Sequence, residues 1–304
     1  MLNRKSAYSI LFLLLSFSCF SQSGLNTFLK PSDTLNINRR NSLVITEASV
    51  VGLSLIGLNS LWYKDYPRSK FHAINDADEW KQMDKVGHVF STYNLSRAGV
   101  ELLNWSGVSK EEQLIYGSTL GLAFLTTVEV FDGFSSEWGF SWSDFGANVF
   151  GTGLYVGQEL LWDEQRFVIK YSFHRTNYAS QRLNTLGNGL LEEALKDYNG
   201  QTYWLSANLH SFFKDSNMPE WLNIAFGYGA DGMLTSKGEP VDNLFTNQNQ
   251  LRQYYLSFDV DLTRIKTESH VLKTIFSVFN VIKIPFPTLE FNSKNRLVFR
   301  LFYF

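Results

Sequence analysis

The sequence predicts an α+β protein: an N-terminal helical bundle followed by an antiparallel amphipathic β region, either outer-membrane barrel-like or a plain sheet. Three observations carry this. Apolar segments of helical period run to about residue 165. From Arg166 the apolar period changes to about two residues, the period of a strand. Aromatic residues make up 16% of the 304 residues, with 26 Phe, 14 Tyr and 8 Trp. Soluble enzymes rarely carry so many, whereas lipid-facing strands and interfacial girdles use them routinely.

The first residues set the compartment. Arg4 and Lys5 precede the apolar run Ile10 to Leu15, and Ser16, Ser18 and Ser21 follow. This reads as a secretory signal over residues 1–21, with cleavage near Ser21. Cys19 raises lipidation as the alternative, but Ser16 stands three before it, where a lipid-attachment motif usually has an aliphatic residue. As Cys19 is the only cysteine, an internal disulfide is excluded. A polar lead-in over 22–42, a helical domain over 43–165 and the β region over 166–304 complete the expected organisation. The balance of 27 basic against 29 acidic residues, a net charge of -2, removes the electrostatic case for nucleic acid.

Leu43 to Trp62 is a helix about long enough to cross a bilayer, interrupted by Glu47 and by small residues. Glu79 to Leu103 is the second helix. Ser109 and Glu112 form a capping box for a third that runs to about Phe131. The fourth runs to about Asp163 with Ser143 as its expected N-cap. Gly117 with Gly121, and Gly153 with Gly157, stand at intervals that permit close helix packing.

Six strands are expected, Phe167–Phe173, Tyr203–Phe212, Trp221–Gly232, Tyr254–Leu262, Thr288–Asn292 and Leu297–Phe304. In the third and fourth, apolar residues such as Ile224, Phe226, Leu256 and Phe258 share one face and small or acidic residues the other. A soluble sheet packed on one side gives the same alternation. Single-chain barrels start at eight strands, so two strands hide in the lead-in and long connections, or the helical half closes the sheet. The terminal Phe304 shares a face with Phe302 and Val298, as in the targeting strand of outer-membrane barrels, although Arg300 falls on it too. Helical inserts are expected at Leu190–Tyr198 and Ser269–Lys283, and the polar loop Ser236–Asn249 is a candidate partner contact.

Within the helical half lies a set of ionisable residues in apolar surroundings: Asp84, Lys85 and His88, then Glu129 and Asp132, then Asp144 and Asn148. Buried charges are costly unless they pair with one another or with an ion. Asp84 and His88 are four apart, Glu129 and Asp132 three, Asp144 and Asn148 four, so each helix presents its pair on one face. Such a set can hold a divalent metal, with Asp84, His88, Glu129, Asp132 and Asp144 as candidate ligands. It can equally be a structural network, in which Asp84 caps its helix, Lys85 neutralises Glu129 or Asp132, and Asn148 bonds a carbonyl. A phosphate loop, a G-x-S-x-G elbow, a CxxC pair and HExxH are absent.

The runs DKVGHVFSTY (84–93), EVFDGF (129–134) and WGFSWSDFGANVFG (138–151) resemble the YfiM-like family of predicted envelope lipoproteins, over roughly residues 40–165. The motif is also similar to that of VanZ-like membrane proteins. The resemblance implies an envelope location, a small helical domain and no established activity. The matching positions are Asp84, Lys85, His88, Glu129, Asp132, Gly133, Asp144, Ala147, Asn148 and Gly151. Together these readings lead to an exported envelope protein of structural or accessory role, associated with the outer membrane and its lipid. The alternatives are a membrane-surface enzyme acting on lipid or cell-wall precursors through the His/carboxylate cluster, and a partner-binding subunit that contacts another outer-membrane protein.

Overall fold

The computed structural model describes residues 24–64, 66–238, 250–294 and 296–303. The signal segment with Cys19, most of the loop 236–249 and Phe304 lie outside the described residues. Helix α1 (Ile37–Leu58) starts earlier than expected, because the Asn36 side chain caps it by accepting from the Arg39 amide at 3.0 Å. A wider turn, Asn59–Tyr63, continues it. Among its described residues the lead-in supplies no strand; residues 24–29 are helical. Ile45, Leu53 and Ile56 on α1 face outward. By length and composition alone, α1 and α3 (Lys110–Gly133) could cross a membrane, a property that core helices share.

Helix α2 (Met83–Trp105) is the hub, flanked by α3 and by α4 (Trp142–Trp162). It is entered through a tight turn, Glu79–Gln82, in which Trp80, Lys81 and Gln82 have φ of 48°, 54° and 64°. Three consecutive side-chain-bearing residues in the left-handed region are strained. The C-terminal half holds them in place. The Trp80 amide donates to Ser236 O at 2.7 Å, and Lys81 O accepts from the Tyr228 hydroxyl and from Arg252 Nη1. Asp84 is therefore not a cap, since the helix starts after Gln82 without a side-chain cap bond.

Ser109 caps α3 as expected, its Oγ accepting from the Glu112 amide, and the Glu112 carboxylate accepts from the Ser109 hydroxyl at 2.9 Å instead of from its backbone amide. The N-cap of α4 is Ser141 rather than Ser143: its hydroxyl accepts from the Asp144 amide at 3.1 Å, while Ser143 turns to Asp76. Small residues do bring the helices together, at partly different positions from those expected. A Cβ on Gly117 would lie 2.7 Å from the Gly99 backbone, and one on Gly151 would lie 2.5 Å from Val89 O. Gly153 and Gly157 meet nothing within 4 Å. Gly117→Ala is expected to destabilise the fold by about 1–3 kcal/mol, as overpacked sites do. Gly157→Ala should be neutral or stabilising by up to about 1 kcal/mol. Chemical denaturation of both variants checks the contrast, and equal effects would remove the close approach as its cause.

The β half is one six-stranded antiparallel sheet in chain order: β3 (Phe167–Phe173), β4 (Gln201–Asn208), β5 (Leu222–Asp231), β6 (Leu251–Val260), β7 (Phe286–Asn292) and β8 (Leu297–Tyr303). The two earlier strands, β1 (Ala73–Ile74) and β2 (Phe140–Ser141), form a short parallel pair beside the helices. β4 stops before the expected Phe212, because Asn208 caps a helical turn over Leu209–Phe212. Helix α5 (Leu190–Lys196) precedes β4, and α6 (His270–Phe279) precedes β7.

The polarity of the sheet is inverted. Phe226, Tyr254, Leu256, Phe258, Leu289 and Phe291 are exposed, while Asn223, Ser206, Asp259, Thr288 and Glu290 are buried. The sheet curls enough for the Tyr303 hydroxyl on β8 to lie 3.0 Å from Thr202 Oγ1 on β4. It does not close: among the described residues, β3 and β8 remain unpaired with each other. A register shift between Phe286 and Thr288 lets β8 keep Arg300 on the inner side, bonded to Glu290 at 2.7 Å, while Phe302 turns outward. Val298 and Phe302 thus do not share a face, contrary to the simple alternation. On the other side α2 covers β3. Tyr93 packs with Tyr155, Val168 and Ile169, and its hydroxyl donates to Phe167 O at 2.9 Å.

Candidate functional site

The first turns of α2 and α4 and the last turn of α3 meet on one side of the helical half. Six of the seven residues read from the sequence, Asp84, Lys85, His88, Glu129, Asp144 and Asn148, come into one cluster there. Lys85 Nζ lies 2.6 Å from Asp76, 3.0 Å from Asp84 and 2.8 Å from Asp144. Its partners are therefore these three carboxylates, not Glu129 or Asp132. His88 Nδ1 bonds Asn148 Oδ1 at 2.9 Å, so Asn148 serves the imidazole instead of a carbonyl. The other ring nitrogen, Nε2, is surrounded by Glu129 Oε1 at 3.7 Å, Asp84 Oδ1 at 3.8 Å and Asp144 Oδ1 at 3.9 Å.

Asp132, the seventh, faces the same cleft but accepts a hydrogen bond from the Tyr63 hydroxyl at 2.7 Å. Three residues of the site were missed from sequence. Asp76 stands in the linker before α2, where no helical period marks it, and it accepts from Ser141 and Ser143 as well as Lys85. Tyr63 ends the turn after α1. Tyr198 comes from the β half and donates to Asp84 Oδ1 at 2.7 Å. Only chain reversal over more than a hundred residues brings it there.

The cleft has a volume of about 670 Å³. Its polar floor is Asp84, His88, Glu129, Asp132 and Asp144, and its apolar walls include Leu58, Phe124, Leu125 and Leu195. Glu129, Asp144 and Asn148 are buried. Burial, with Asp144 and Asp132 nearby, pushes the Glu129 carboxyl up to about 8 against the attraction of His88. Burial likewise raises Asp132 to about 6 and Asp144 to about 7. For Asp76, burial is outweighed by the hydrogen bonds from Lys85 and Ser141, which bring it down to about 2. His88 is raised: burial opposes its charge, and Asp84, Asp144 and Glu129 more than compensate. The cluster is thus rich in carboxylate relative to its two cationic groups and holds protons to balance them. The ligand atoms of Asp84, His88 and Asp144 lie within 4.8 Å of one another, close enough to share a metal ion.

Residues 75–158 match the family model described as predicted periplasmic lipoprotein (DUF2279). The match spans Asp76, the whole of α2 with its motif, α3 and most of α4. It leaves out Tyr63, Tyr198 and the whole sheet. No curated protein and no solved structure matches the chain. The chain is accordingly a cell-envelope protein, exported to the periplasmic face. The matched region falls inside the helical stretch over which the motif resemblance was read, and it agrees with an envelope lipoprotein character there.

Proposed function

We propose that the protein is an outer-membrane-associated enzyme that acts from the periplasmic side on a lipid or lipid-linked cell-wall precursor. The observation that carries this reading is the convergence of His88, Glu129 and Asp144 in an open cleft with apolar walls, rather than in a sealed core. A polar head would meet the floor of the cleft, and an acyl or isoprenoid chain would lie along Phe124, Leu125 and Leu195. Asp132 is the acid–base group, because a carboxyl held at about 6 gives and takes a proton near neutral pH. Tyr63 orients it.

Association with lipid is supported by the inverted sheet, whose aromatic and aliphatic exterior encloses a polar interior. The open edge at β8, with Leu297, Phe299 and Leu301 exposed, would suit another outer-membrane protein.

Full-length protein in detergent is incubated with envelope lipid extract, and products are followed by mass spectrometry. The wild type is expected to deplete one lipid class, and His88→Ala and Asp132→Asn to slow that by about 100-fold or more. Identical lipid profiles with wild type and both variants would overturn the enzymatic reading.

One observation favours a second, structural reading: Lys85 ties together the linker, α2 and α4 through Asp76, Asp84 and Asp144. In that case the cluster fixes the geometry of the bundle, and His88→Ala would change stability while leaving the lipids untouched.

A further inference from the structure

We propose that His88 Nε2, Asp84 Oδ1, Glu129 Oε1 and Asp144 Oδ1 are the four ligands of one divalent metal ion of the Zn²⁺, Mn²⁺ or Fe²⁺ class. The inference goes beyond the enzymatic reading and stands whether or not the cleft turns over a lipid.

The argument rests on how the protein holds each carboxylate. For Glu129, Oε2 accepts from the Ser141 amide at 3.2 Å, and Oε1 is the oxygen that faces the imidazole. For Asp144, the hydrogen bond from Lys85 falls on Oδ2 at 2.9 Å. Its Oδ1, though 2.8 Å from the same amine, has no hydrogen bond of acceptable geometry and faces His88 in a residue only 4% exposed. For Asp84, Oδ2 takes Lys85, and Oδ1 takes the Tyr198 hydroxyl with a second lone pair to spare. The three inward oxygens lie 3.7, 3.8 and 3.9 Å from Nε2, too far for a hydrogen bond.

Tetrahedral coordination with bonds of about 2.0–2.1 Å separates ligands by roughly 3.3–3.4 Å. Closing the site on an ion takes a few tenths of an ångström between Nε2 and each oxygen, and a larger movement between carboxylates: the ligand atoms of Asp84, His88 and Asp144 lie within 4.8 Å of one another, and the Glu129 carboxylate swings further in to join them. The imidazole is already set for that role: Nδ1–H donates to Asn148 Oδ1 at 2.9 Å, which directs the Nε2 lone pair at the three carboxylates. One imidazole with three carboxylates suits a borderline first-row ion; an all-oxygen cage would suit Ca²⁺ or Mg²⁺, and thiolates a softer ion. Asn148 is a positioning residue. Asp76 and Asp132 stay outside the ligand set, bonded to Lys85 and Tyr63 respectively.

The test is metal analysis of full-length protein purified in detergent, stripped with chelator and reloaded separately with Zn²⁺, Mn²⁺ or Fe²⁺. About one equivalent per chain is expected in the wild type and in Asp132→Asn. His88→Ala and the near-isosteric Glu129→Gln should lose it, and Asn148→Ala should weaken binding by about 10-fold to 100-fold. Should His88→Ala fail to fold, Glu129→Gln decides. Metal content equal in wild type and Glu129→Gln, or no uptake of any of the three ions by the wild type, overturns the site. Loading with no lipid turnover would leave the metal site standing and remove the enzymatic reading.

Discussion

Replacing Lys85 by methionine is expected to lower the unfolding free energy by about 3–5 kcal/mol, the cost of leaving a buried charge set without its partner. Lys85 is largely buried, and three carboxylates stand within 3.0 Å of its amine. Methionine preserves much of the volume, so the loss reports charge rather than a cavity. Denaturant titration in metal-free buffer measures it, and a loss under about 1 kcal/mol would show that protonation of the neighbours already balances the site. The acid limb gives an independent check. Asp76 has its folded value near 2 and an ordinary value of 3.8. A depressed carboxyl contributes stability that is full above the ordinary value and is lost as pH falls through the folded one. Without Lys85 that window narrows from below, so the variant should lose its Asp76 contribution at higher pH than the wild type.

Asp259→Ala is expected to cost a similar amount, about 3–5 kcal/mol, in the other half of the molecule. Asp259 lies between two wholly buried lysines, 2.9 Å from Lys170 and 3.8 Å from Lys283. It also accepts from Ser206 at 2.7 Å and from the Ile284 amide. The lysines keep bonds to Val260 O and Phe258 O, but their second charge has no other carboxylate within reach among the described residues. Glu220→Ala is the control, because its pair with Lys266 is exposed and worth about 0–1 kcal/mol. Equal losses for Asp259→Ala and Glu220→Ala would contradict the polar interior of the sheet. This network is buried on the inner face of the sheet while phenylalanines such as Phe226 and Phe258 face outward.

Much of this arrangement was legible in the sequence because it is periodic. The two-residue alternation from Arg166 onward located six strands and grouped most of their apolar residues on a common face. The spacings within Asp84–His88, Glu129–Asp132 and Asp144–Asn148 placed each pair on one face of its helix, since helical geometry is local. Where the reading failed, the determining contact was long-range or irregular. Ser141 displaced Ser143 as cap because the helix begins two residues earlier than its pattern suggests, at Trp142, while Asp76 accepts from both hydroxyls. Gly153 and Gly157 have packing spacing but no neighbour, and Gly99 and Gly151 supply the close contacts instead. The bulge in β8 separates Phe302 from Val298 by adding a residue that alternation does not count.

By itself, then, the sequence determined the α+β division, the two-residue alternation of the strands and the identity of the ionisable cluster, because hydrophobic period and local spacing decide them; which face of the sheet turns outward was decided by the tertiary structure. Only the tertiary structure decided that Lys85 serves Asp76, Asp84 and Asp144, that Tyr63 and Tyr198 reach the cluster, and that the cluster lines an open cleft. Those outcomes depend on how three helices and an insert from the β half are brought together, and the packing energy that brings them together is not a property of any one segment.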